Sequence, residues 1–279
     1  MRRLTLILFL GFFALRSFGQ FYVQPSVGYT FNSDPTVMSS TLITDNQKSV
    51  YTMKLRYGQG LYAGLTAGYC FWDRFFIELD AKKGLLTRNS ASVEEPDLRE
   101  LDNFYIAGFF GEIEYSSPLF QFSPRAGYTV RTDRFAASFS LGPNFMKTKM
   151  KHRVTTIDYD FGEGFTLVPH DVEAEQEYRG KMHTGLQAGL GLSWSLRQDL
   201  LVVFDFVTVF NNYRFTSGEV TFYEVDGQDR LGELDDTDID INPEDNKLNH
   251  SHYGLHLGVR YVFGRKEASV TAMHAGQVY

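Results

Sequence analysis

Thr184–Phe210 reads TGLQAGLGLSWSLRQDLLVVFDFVTVF. Leu186, Ala188, Leu190, Leu192, Trp194 and Leu196 alternate with Gly185, Gln187, Gly189, Gly191, Ser193 and Ser195. Side chains of a strand point to opposite faces with period two, so this stretch is a strand with one greasy face and one small, polar face. Arg197-Gln198-Asp199 turns the chain and Leu200–Phe210 runs back. A soluble sandwich would turn large residues to a core and charge to water. Here the large face carries no charge, the pattern of a narrow barrel standing in lipid.

The N-terminus agrees with export. Met1-Arg2-Arg3 is basic, Leu4–Leu15 is a short apolar run and Ser17-Phe18-Gly19 is a small-x-small cleavage site, so residues 1–19 are expected to be a signal peptide. Beyond it no apolar run is long enough for a spanning helix. Cys70 is the one cysteine, which excludes an internal disulfide framework. The net charge of -7 and pI near 5.5 argue against a nucleic-acid partner. A mean hydropathy of -0.24 suits a barrel, which shows lipid only half of its strand residues.

Period-two runs recur at Phe21–Phe31, Gly60–Phe71, Phe75–Thr87, Phe120–Val130, Phe135–Phe145, Thr184–Leu196, Leu200–Phe210 and Tyr253–Phe263, and the fifth is expected to continue through the Lys-rich Met146–Arg153 above the lipid. Ile113 and Tyr115 sit on the opposite parity to the apolar face of Phe120–Val130, so a bulge is expected near Ser116-Ser117-Pro118. The connections alternate between long polar segments and tight turns, beginning with Asn32–Gln59 and then Trp72-Asp73-Arg74. All tight turns therefore lie at one end, with both termini. The expected fold is all-β: an eight-stranded antiparallel up-and-down transmembrane β-barrel over residues 20–264, with four long outer loops and short periplasmic turns. Trp72 and Trp194, with Phe75, Tyr128, Tyr261 and Phe263, would form the periplasmic aromatic girdle. Residues 265–279 would be a periplasmic tail.

Gly19-Gln20, Ser117-Pro118-Leu119, Leu141-Gly142-Pro143 and Gly258-Val259-Arg260-Tyr261-Val262-Phe263 resemble the outer-membrane β-barrel domain common in Bacteroidetes, with PorT-like members the nearest comparison. The resemblance spans Gln20–Gly264. It implies an eight-stranded barrel in the bacterial outer membrane, inserted by the barrel-assembly machinery. Some members are implicated in protein secretion. Most barrels of this kind end on an aromatic residue, whereas Phe263 here is followed by the tail.

By parity, Glu78, Asp80 and Asp205 point inward with Lys82, Arg125 and Arg260, three acids against three bases at a shared depth. An eight-stranded barrel is narrow enough for side chains to meet across it, so these charges are expected to pair between opposite walls and plug the interior. Tyr223–Lys247 holds ten acids and two bases. Within it Asp236, Asp238 and Asp240 have the spacing of the first half of a calcium loop. The Gly and Glu that would complete one are replaced by Ile241 and Lys247, so a solvated acidic loop is the expectation. Cys70 reads as a small interior filler. His250, His252 and His256 read as polar residues at a strand start, without enough ligands for a metal. No catalytic residues and no cofactor are expected. The partners expected are outer-membrane lipid, the assembly machinery and an unidentified protein. A lipid-modifying enzyme and a small diffusion pore are the alternatives.

Overall fold

The computed structural model describes residues 19–44, 48–72, 74–93, 104–107, 111–161, 167–239 and 247–263. Most of the expected signal peptide, the expected tail, Asp73 and Asp240 lie outside the described residues. The chain is all-β and antiparallel, and the described residues contain no α-helix. In chain order its strands are β1 Gly19–Asn32, β2 Thr36–Thr44, β3 Lys48–Leu55, β4 Gly60–Phe71, β5 Phe75–Leu86 and β6 Arg88–Val93. Then come β7 Phe104–Ala107, β8 Gly111–Ser116, β9 Leu119–Arg131, β10 Phe135–Phe161, β11 Leu167–Gly180 and β12 His183–Ser195. The last are β13 Leu200–Phe210, β14 Asn212–Val225, β15 Gln228–Asp229, β16 Asp238–Ile239, β17 Lys247–Asn249 and β18 His252–Phe263.

The runs of alternating residues are the strands that pair on both edges. β1 lies between β18 and β4, β5 between β4 and β9, β10 between β9 and β12, and β13 between β12 and β18. Followed from strand to strand, the hydrogen bonds return to their start. The exterior of this ring is apolar and open: Leu65, Ile77, Phe139, Leu190, Leu192 and Leu257 are all more than half exposed. Its interior is polar and shut, with Gln24, Thr66, Asp80, Ser123, Asn144 and Gln187 buried. Near the tight turns, ring contacts join Phe21 to Phe263, Phe75 to Tyr128 and Phe135 to Trp194, with centroids 5.5, 5.0 and 6.1 Å apart. Trp72 closes the first turn with φ 48°, the left-handed conformation that tight hairpins require.

At the other end the polarity inverts. Met53, Leu55, Tyr62, Ile113, Leu119, Met146, Met150 and Tyr213 form one buried apolar cluster inside, while Glu112 and Glu114, Lys149 and Lys151 occupy the alternate positions. The reason is the change of surroundings. A strand in lipid must put its apolar side out, and the same strand in water must put it in. This accounts for Ile113 and Tyr115, whose parity is continuous with β9. Thr148 faces Leu119 and Lys151 faces Ser116, so the register against β10 runs through Ser117-Pro118 without a slip. The expected bulge is therefore absent there. The extra residue lies on the neighbouring strand instead. Lys83 faces Phe120 but Arg88 faces Ser116, five residues against four.

The long connections are not simply polar loops. Asn32–Gln59 contains the β2–β3 hairpin, β10 continues to Phe161 and returns as β11, and Thr216–Asn249 contributes most of β14 with β15, β16 and β17. β6, β8, β10, β11 and β14 form a sheet that extends the wall past the apolar belt. Between Ala126↔Leu141 and Phe122↔Phe145 the β9–β10 ladder lapses, and Pro124 and Pro143 fall in that gap. Neither proline has an N–H, so the lapse leaves fewer donors unpaired at the apolar belt.

Candidate functional site

Glu78, Asp80 and Lys82 alternate along β5 and so share its inner face. Arg125 on β9 is the register partner of Glu78. Its Nη2 lies 2.8 Å from Oε1 of Glu78 and 3.7 Å from Oδ2 of Asp80. Nζ of Lys82 lies 3.1 Å from the same Asp80 oxygen. All four side chains are buried. Hydroxyls and an amide complete the carboxylates' shells. Thr66 Oγ1 donates to Asp80 Oδ1 at 3.0 Å, Gln187 Nε2 to Asp80 Oδ2 at 3.0 Å, and the Tyr22 hydroxyl to Glu78 Oε2 at 2.7 Å.

Asp205 and Arg260 join less directly. Gln24 Nε2 donates to Asp205 Oδ2 at 2.7 Å, and Arg260 Nε donates to Gln24 Oε1 at 2.8 Å. The Arg260 guanidinium also lies 4.3 Å from the centroid of the Tyr22 ring. The interior thus gathers all six expected residues into one network, but not by pairing opposite walls. Arg125 pairs with the strand beside it, and Lys82 with its own strand. Directly opposed positions on adjacent strands lie about 5 Å apart, so a lateral ion pair needs less reach than one across the lumen.

Amides make the crossings. Gln187 on β12 reaches Asp80 on β5, and Gln121 Nε2 on β9 lies 2.9 Å from Nε2 of His252 on β18. Ser123 Oγ donates to Gln187 Oε1 at 2.7 Å, Asn144 Nδ2 to Ser123 Oγ at 2.9 Å, and Asn211 Nδ2 to Asn144 Oδ1 at 3.2 Å. Tyr22, Gln24, Ser123, Asn144 and Gln187 are the site residues that a reading limited to charge misses. The inward parity that selects the charges also selects these polar side chains, and that was the available signal.

Above this network lies a layer of rings. His250 and His252, expected as ordinary polar residues at a strand start, are both fully enclosed. Nδ1 of His252 lies 2.8 Å from the His250 carbonyl; as the protonated nitrogen it leaves Nε2 to accept from Gln121. The His250 ring sits between Tyr57 and Tyr213, at 5.8 and 5.6 Å. Tyr57 in turn stacks on His152 at 5.9 Å, and Tyr213 packs on His183 at 4.8 Å. His152–Tyr57–His250–Tyr213–His183 is thus a continuous row of rings beyond the belt. Burial pushes His250 down to about 3, helped by His252 and His183, and burial alone pushes His152 down to about 4.

Little space is left between the side chains near the tight turns. A cavity of about 20 Å³ beside Tyr22, Cys70, Phe76 and Arg260 has room for about one water. In the acidic segment Asp236 Oδ1 accepts the Asp238 N–H at 2.8 Å, an exposed local turn, and Asp240 lies outside the described residues. Among the described residues no three His, Cys, Asp or Glu side chains converge as metal ligands.

No family model matches the chain, and no curated protein matches it in sequence. Solved structures resemble it over most of its length. The outer membrane protein OprG from Pseudomonas aeruginosa is 16% identical, with 88% of this chain and 96% of that one covered and a TM-score of 0.44. A major outer membrane protein from Thermus thermophilus is 11% identical, with coverage of 88% and 99% and a TM-score of 0.42. The outer membrane protease OmpT from Escherichia coli is 7% identical, with coverage of 88% and 97% and a TM-score of 0.43.

Proposed function

We propose that the ring of β1, β4, β5, β9, β10, β12, β13 and β18 is an eight-stranded transmembrane β-barrel of the bacterial outer membrane. Its lumen is plugged, and it acts by contact rather than by catalysis. One observation carries this reading: the ring is apolar and exposed outside, while its inside is filled by a hydrogen-bonded network of charges and amides. In water such a belt would drive aggregation, whereas in lipid it is the required surface. The Glu78 and Asp80 carboxylates are already engaged by Arg125, Lys82, Tyr22, Thr66 and Gln187, donors that compete with any substrate for them. The tight turns face the periplasm, and the β6–β8–β10–β11–β14 extension stands outside the cell as the surface offered to a protein partner. The chain is inserted by the barrel-assembly machinery. The resemblance to PorT-like Bacteroidetes barrels favours a role beside a secretion apparatus.

The test is electrical. Purified protein folded into planar phosphatidylcholine bilayers should run as a heat-modifiable band and stay silent. Steady channels of porin size would replace this reading with that of a diffusion pore.

A further inference from the structure

The outward face of the ring changes character on one rung. Ala63, Lys83, Phe120 and Lys147 are successive register partners across β4, β5, β9 and β10. Lys83, Phe120 and Lys147 are all exposed. On the next rung toward the tight turns stand Leu65, Ala81, Phe122 and Phe145, with the two phenyl rings 6.1 Å apart. Two cations therefore flank a phenyl ring directly above an unbroken apolar surface. Neither ammonium is paired with a carboxylate among the described residues, unlike Lys149 and Lys151 further out, which both reach Glu177.

The placement is one-sided. On β1 and β18, at the corresponding end of the belt, the outward positions are Tyr29, Phe31 and Tyr253, stacked on one another and without a cation. Lys83 and Lys147 sit two strands apart, roughly 10 Å between backbones at the usual spacing. Each stem is long enough to lie over apolar surface and bring its ammonium over Phe120.

We infer that Lys83 and Lys147 form a binding site for the phosphate of an outer-leaflet glycolipid of the lipopolysaccharide class. Its acyl chains lie on Ala81, Phe122 and Phe145. This rests on the outer-membrane reading above, which puts that rung at the outer lipid boundary. A phosphate there meets two unpaired cations at the edge of a low-dielectric layer, where charge-assisted contacts are strongest. A neutral headgroup gains nothing from them.

The experiment is native mass spectrometry of the full chain in detergent, titrated with bisphosphorylated lipid A and with its dephosphorylated form. Wild type should retain one bisphosphorylated molecule at least tenfold better than the dephosphorylated one. K83Q/K147Q should lose that preference, while R74Q/R134Q, which removes two exposed cations at the tight-turn end, should keep it. Equal retention of both lipids by wild type, or equal loss in both double variants, would overturn the site and leave only non-specific charge attraction. Failure of wild type to insert into vesicles as a heat-modifiable species would strike the outer-membrane reading instead. Both lysines are exposed and in no ion pair among the described residues, so K83Q/K147Q should insert as wild type does.

Discussion

Arg125→Ala should lower the unfolding stability of the barrel by about 3–5 kcal/mol, the usual cost of breaking a buried ion pair from one side. Arg125 is the shared partner of Glu78 and Asp80, all three enclosed, and without it only Lys82 is left to balance two carboxylates. The check is the urea midpoint of heat-modifiable migration in lipid vesicles. An unchanged midpoint would mean that the network fills the lumen without holding it together. The companion variant Glu78→Gln/Arg125→Met should recover most of the loss, because it removes charge and counter-charge together and leaves the Asp80–Lys82 pair.

Acid should open the outer extension before it disturbs the belt. His152 and His250 have their proton affinity lowered by burial to about 4 and about 3, against about 6.5 in an unfolded chain. A base whose folded value is depressed contributes stability that is complete above about pH 6.5 and lost as pH falls toward the folded value. At pH 4.5 each should cost on the order of 2–3 kcal/mol, since neither ring pairs with a carboxylate among the described residues. Hydrogen exchange, corrected for the intrinsic pH dependence of amide exchange, should show β8 and the outer half of β10 losing protection at pH 4.5 relative to pH 7, with β13 keeping its protection. Protonation of Glu177 is the competing cause, delayed because hydrogen bonds from Lys149 and Arg179 hold its carboxyl below the ordinary value. The His152→Phe/His250→Phe variant separates the two causes: it should lose most of the acceleration. Equal protection at both pH values would show that the row of rings is not what seals this end.

Alternation alone was enough to locate the belt strands, because lipid imposes a single rule on every outward position. Gly60–Phe71 and Leu200–Phe210 have their expected bounds to the residue. The inward charges were legible for the same reason: parity assigns a face whatever the side chain is. The extension was legible as strand only through Arg153, where β10 goes on past Phe145 with Lys147, Lys149, Lys151 and Arg153 outward. The rest of β10 to Phe161, with β11 and the outer part of β14, has a polar pattern that resembles a loop. Ile113 and Tyr115 looked misplaced only while the apolar face was assumed to stay outside.

The sequence by itself determined which residues of the belt strands face outward and which face the interior. Only the tertiary structure decided who pairs with whom. Parity fixes a side chain's face and depth but not its neighbours around a closed ring. Whether Arg125 meets Glu78 beside it or Asp205 across the lumen depends on strand register and on which distance is shorter. The same holds for His250, enclosed because Tyr57 and Tyr213 arrive from distant parts of the chain, and for Lys83 and Lys147, far apart in sequence and brought to one rung by their shared partner Phe120.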